Sequence, residues 1–99
     1  MSLTQEAPKT PVEIIEEYAA NAKAFPDSYY WDPHVGIAHT FMEWKWRMVS
    51  GKAITDYQGE AAIDKDRRLF RLFCHELEEN GVTLSEDLQE EAFQGYLDD

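Results

Sequence analysis

Residues 33–50, PHVGIAHTFMEWKWRMVS, decide how this chain folds, because their spacing suits a helix and no other regular element. Asp32 as N-cap and Pro33 at the first helical position form a start signal, and Ser50-Gly51 forms a stop. Projected at about 100° per residue, His39, Thr40, Glu43, Arg47 and Ser50 share a polar strip. Glu43 precedes Arg47 by one helical turn, the better order for an ion pair on a helix. The remaining arc, roughly 200° wide, is apolar and runs from Trp44 through Ile37, Met48, Phe41, Ala38, Val49, Met42 and Val35 to Trp46. A stripe that wide suits a helix touched by neighbours on two sides.

Trp44 and Trp46 fall on opposite borders of the arc, so they do not sandwich Lys45 as the linear text suggests. Lys45 itself sits in the middle of the arc, one turn from Phe41, Met42, Met48 and Val49. Asp66 has the same defect in a later segment, one turn from Ala62, Ile63, Leu69 and Phe70. Two misplaced charges of opposite sign suggest a partly buried ion pair that sets the register of the two helices. Two other readings compete with it. Lys45 can lay its stem over apolar surface and reach water, or it can work with exposed tryptophan as a partner grip.

Flanking signals supply three more helices. Thr10, Pro11 and Glu13 make a capping box, after which Val12, Ile14, Ile15, Tyr18, Ala19, Ala22 and Phe25 share one arc that Pro26 ends. Glu60 to Glu79 reads as a helix with Ala62, Ile63, Leu69, Phe70, Phe73, Cys74 and Leu77 on its apolar face, closed by Asn80-Gly81. Thr83 with Glu86 reads as a second capping box, and Leu84, Leu88, Ala92 and Tyr96 line the buried side beyond it. The expectation is an all-α fold, a small four-helix bundle or an orthogonal helical array, with helices at about 10–25, 33–49, 60–79 and 84–97. Residues 1–9 read as a flexible N-terminal tail, 10–99 as a single helical domain, and 50–59 as a connection, either loop or short strands.

The acidic balance narrows the function classes. Twenty acids against nine bases give a net charge of −11, which opposes direct binding to nucleic acid or to an anionic membrane surface. No apolar run approaches the roughly 20 residues of a membrane span. One cysteine, Cys74, and no signal-peptide pattern point to the cytoplasm. Residues 76–99 carry nine of the acids and no lysine or arginine. Such a segment repels itself unless it is neutralised inside the fold, where Arg67, Arg68 and Arg71 are the available cations, or faces a basic protein surface.

Glu86, Asp87, Glu90, Glu91, Asp98 and Asp99 are therefore the candidate partner-binding residues of an inhibitor, adaptor or small subunit. The first four place a charge about every 1.9 Å of helix rise, close to the roughly 1.7 Å spacing of duplex DNA, which raises the possibility of nucleic-acid mimicry.

Catalytic and metal signals are thin, and no catalytic residue, metal ligand or cofactor is assigned. His34 and His39 diverge on a helix, and His75 with Glu79 offers only two ligands. Cys74, at the border of an apolar stripe, reads as a small hydrophobe. The alternative from another class is a helical domain that binds a small ligand or metal near Asp32, His34 and the Tyr29-Tyr30-Trp31 loop.

Overall fold

The computed structural model describes residues 9–50 and 62–98. Its elements are α1 (Pro11–Ala24), a 3-10 turn (Tyr29–Trp31), a π-helical turn (Pro33–Ile37), α2 (Ala38–Ser50), α3 (Ala62–Glu79) and α4 (Glu86–Asp98). The fold is a small all-α array, with no strand among the described residues. No helix among them is long and apolar enough to cross a membrane. The tail before Lys9, most of the 50–59 connection, Glu60 and Asp99 lie outside the described residues.

Thr10 caps α1 as its spacing implies. The Glu13 amide donates to Thr10 Oγ1 at 3.2 Å and the Thr10 amide to Glu13 Oε1 at 2.9 Å, which draws the Glu13 carboxyl below its ordinary range. Ile14, Ile15, Tyr18, Ala19 and Ala22 are buried. Val12 and Phe25, read as part of the same arc, are more than half exposed, because they stand at its two ends, past the reach of the neighbouring helices. Asp32 caps the next helix, accepting from the amides of His34 and Val35 at 2.8 Å each.

The first turn of that helix is wider than the sequence implies. Residues 33–37 wind as a π turn before the α geometry of α2 begins, and the Ile37 amide reaches back to the Asp32 carbonyl at 2.9 Å. The reason lies at Gly36, which carries no side chain into the 3-10 turn. A Cβ there would stand 2.1 Å from the Tyr29 carbonyl oxygen and 2.7 Å from that of Tyr30.

α3 ends in a Schellman cap. The Val82 amide donates to the Leu77 carbonyl at 2.9 Å and the Gly81 amide to that of Glu78 at 3.0 Å, with Gly81 at φ +90 and Val82 buried. Lys23 of α1 adds its ammonium to the Asn80 carbonyl at 2.9 Å, a cation at the negative end of α3. Ile63, assigned to the apolar face, is exposed at the start of the helix.

The start of α4 differs from its reading. Ser85 rather than Thr83 is the cap, its Oγ accepting from the Leu88 amide at 3.2 Å. Val82 and Leu84 are buried while Thr83 and Ser85 are exposed. That two-residue alternation is extended chain pinned to the core, and it delays the helix by one half-turn. Phe93, omitted from the four-step series on α4, is fully buried beside Ala92.

The core joins every helix. Phe41 and Trp44 of α2, Phe70, Phe73 and Leu77 of α3, Phe93 of α4 and Ile15 of α1 belong to one buried cluster. α1 packs on α2 and α3, while α4 lies against the π turn and α2.

Because Gly36 meets backbone rather than flexible side chains, Gly36→Ala is expected to lower stability by about 3 kcal/mol, the upper range for overpacking. Gly81→Ala, which meets only the Lys23 side chain and suffers from its positive φ, is expected to lose about 1–2 kcal/mol. Urea unfolding of the two variants measures the contrast.

Candidate functional site

The two charges that interrupt apolar faces are close together. Lys45 Nζ of α2 stands 3.0 Å from Asp66 Oδ1 of α3, with side chains about a fifth and a tenth exposed. Tyr96 of α4 completes the group. Its hydroxyl accepts from Lys45 Nζ and donates to Asp66 Oδ2 at 2.8 Å. One polar contact thus links three helices. The Phe41 ring seals it from the core side, 4.9 Å from Tyr96. Burial raises the Tyr96 phenol above its ordinary value, and the Lys45 ammonium opposes part of that rise. Lys65, which periodicity did not single out, is also buried.

A neutral phenol between an ammonium and a carboxylate satisfies charges that a bundle this small would otherwise strand. Lys45→Met alone or Asp66→Leu alone is expected to cost about 3 kcal/mol, the low end for a broken buried pair because Tyr96 remains as partner. The double substitution is expected to recover most of that loss. A double-mutant cycle by urea unfolding measures it, and harmless single substitutions would show that the contact carries no energy.

The proposed partner face is built differently. Glu86, Asp87, Glu90, Glu91 and Asp98 are all exposed on α4. Two of them meet side chains from other elements of the chain. Arg67 Nη1 lies 3.2 Å from Glu90, with its guanidinium over the Phe93 ring at 4.5 Å, and His34 Nε2 lies 3.4 Å from Glu91. Glu86 and Asp87 occupy the first turn of α4, where the helix dipole favours a carboxylate. Neither forms an ion pair among the described residues. Asp98 stands at the opposite, negative end of α4, and Glu78 and Glu79 stand at the negative end of α3, whose last turn holds no base.

The alternative ligand site near Asp32 and His34 separates into two parts. The Asp32 carboxylate is committed to capping, which holds it below its ordinary range, and the His34 ring lies against Gly95 and Glu91 of α4. Tyr29 and Tyr30 turn elsewhere, into a groove between α1 and α2 that also takes His39. The sequence pointed to an exposed tryptophan on this helix as a partner grip, but not to α1 and the two tyrosines as the other walls of the groove. Its signal was the width of the apolar arc on residues 33–50, of which Val35, Met42 and Trp46 stay exposed.

Among the described residues no three His, Cys, Asp or Glu side chains converge on a point where a metal ion fits. His75 and Glu79 meet only each other, at 3.7 Å. The expected Glu43–Arg47 ion pair is not formed. Arg47 is half-buried with its Nε shielded from water, and Glu43 is exposed beside the groove.

Cys74 is partly buried on α3, and burial pushes its thiol from 9.0 up to about 12. A thiolate is thus disfavoured near neutrality, which fits a packing role rather than nucleophilic chemistry. The sign for stability follows from the raised value. The contribution is full below pH 9.0 and falls as pH rises towards about 12, because the unfolded chain releases its proton first. The urea midpoint is expected to decline through that window, and less steeply in Cys74→Ala.

No protein-family model, no curated protein and no solved structure matches this chain. Its function therefore has to be argued from its own surfaces.

Proposed function

We propose that the chain is a small acidic interaction module, working in the cytoplasm as an inhibitor, adaptor or small subunit, that presents α4 and the carboxylates flanking residues 80–85 to a basic protein surface. One observation carries this reading. Glu78, Glu79 and Asp98 sit at negative helix ends, where each carboxylate is disfavoured by about 0.3–1 kcal/mol. Residues 76–99 hold no lysine or arginine to offset them, and Lys23 brings a single cation to the end of α3. A positive partner surface would gain from Glu78 and Glu79 together with Glu86 and Asp87, which follow them across residues 80–85, and from Asp98 at the far end of α4.

The nucleic-acid-mimic version draws on the charge spacing along α4. Arg67 on Glu90 and His34 on Glu91 occupy two of the four charges it uses. That occupation favours a protein surface recognised by general electrostatic complementarity over a copied phosphate backbone. Direct contact with nucleic acid is disfavoured by the net charge of −11.

The test is capture from native extract on the immobilised chain, followed by elution in rising salt. Captured protein is expected to be basic and to leave steeply as ionic strength passes from about 0.05 to 0.5 M, where screening shortens to a few ångströms. The variant Glu78→Gln/Glu79→Gln/Asp98→Asn is expected to capture less while unfolding at equal or higher urea, since three unfavourable dipole contacts are gone. Capture indifferent both to salt and to these substitutions would overturn the reading.

A further inference from the structure

The α1–α2 groove is a second surface with its own chemistry. It encloses about 750 Å³, and buried Ile14 and Tyr18 form its floor. Along it stand four of the eight exposed large apolar side chains among the described residues: Tyr29 at 58%, Val35 at 52%, Met42 at 41% and Trp46 at 66%. Tyr29 stacks on Tyr30 with ring centroids 4.4 Å apart, giving a flat aromatic wall. Aromatic residues and methionine are the side chains enriched where proteins grip partners.

The polar lining selects the occupant. Glu17 of α1 and Glu43 of α2 both border the groove. Lys9 is bonded to Glu17 and also lies within electrostatic range of Glu43, so one cation faces two groove carboxylates and the rim stays net negative. A second copy of the chain would bring the same charge of −11 against these carboxylates. Nucleic acid is opposed by the same sign.

A helix with an apolar stripe bordered by lysine or arginine meets every feature. Its apolar anchors at helical spacing enter between Met42, Val35 and Tyr29. Its cations reach Glu17 and Glu43 or lie over the Trp46 and Tyr29 rings. We propose that the α1–α2 groove docks a basic amphipathic helix of a partner protein. This surface is distinct from the acidic face of α4, and the inference does not depend on that face being used.

The probe is a synthetic helix-forming peptide with a leucine stripe and a lysine and arginine face, titrated into the full chain by calorimetry and tryptophan fluorescence. It is expected to bind, and an equal-length peptide with glutamate in place of lysine and arginine is not. Met42→Ser/Trp46→Ala, two exposed positions whose change leaves the helical circular dichroism intact, is expected to weaken binding roughly tenfold or more. Glu17→Gln/Glu43→Gln is expected to weaken it and to flatten its salt dependence. Glu86→Gln/Asp87→Asn/Glu90→Gln is expected to change it by less than about twofold, since these charges stand outside the groove.

Binding that survives the Met42/Trp46 variant, or that is lost in the α4 variant instead, overturns the groove assignment, as does absence of binding at millimolar peptide. Self-association of the chain that disappears in the Met42/Trp46 variant would assign the groove to a second copy and likewise overturn it. Failure here leaves the salt-dependent capture on α4 standing, and the reverse holds too.

Discussion

Phe41 has no exposed surface, and the rings of Trp44, Phe70, Phe73 and Tyr96 stand 6.1, 5.0, 5.5 and 4.9 Å from it. Those rings come from three helices, so the position of one side chain fixes the mutual placement of α2, α3 and α4. Much else follows from it. With Phe41 facing inward, Lys45 one turn later reaches the edge of the core, where it meets Asp66 and Tyr96. Interlocking rings tolerate little sliding. The polar contact at their border therefore has a defined geometry, and a one-turn slip of α2 against α3 would break both at once.

The charge distribution is sorted by the same architecture. Charges near the core are paired between helices, as in the group around Tyr96, or placed at helix ends of opposite polarity, as with Lys23 at the end of α3. The surplus of acids is left to the C-terminal quarter, which the core holds by its apolar side through Leu84, Ala92 and Phe93. Solubility alone would be served by carboxylates anywhere on the surface. Glu78, Glu79 and Asp98 stand at the negative ends of α3 and α4, against the helix dipoles, while Glu86 and Asp87 stand at the favourable end of α4.

Legibility in the sequence tracked how local each feature is. The Thr10 capping box, the Asp32 cap and the Gly81 turn are set by neighbours within a few residues, and their residue types announce them. The misplaced start of α4 shows local signals in conflict. Thr83 with Glu86 satisfies the capping pattern, yet Val82 and Leu84 need to point the same way, and burial of both outweighs a cap that Ser85 also supplies. The π turn at 33–37 depends on two carbonyls of another segment approaching Gly36, which no periodicity encodes. The acidic run was plain in the sequence, but its pairing with Arg67 and His34 needed the packing of α4 on α3 and the π turn.

The groove was hidden for a related reason. A helical projection shows which residues share a face and is silent on how many neighbours cover that face. On α2 the arc divides. The half around Ile37, Phe41 and Trp44 meets the other helices, and the half around Val35, Met42 and Trp46 meets none of them fully. Trp44 and Trp46, two residues apart, consequently have separate physical roles, one at 1% exposure within the aromatic core and one at 66% beside the groove. Lys45 between them belongs to neither surface, since its ammonium is turned to Asp66 and Tyr96. With that cation turned away, Glu43 is the charge that α2 brings to the groove, and together with Glu17 across from it this charge is the basis on which a basic helix is proposed as the occupant.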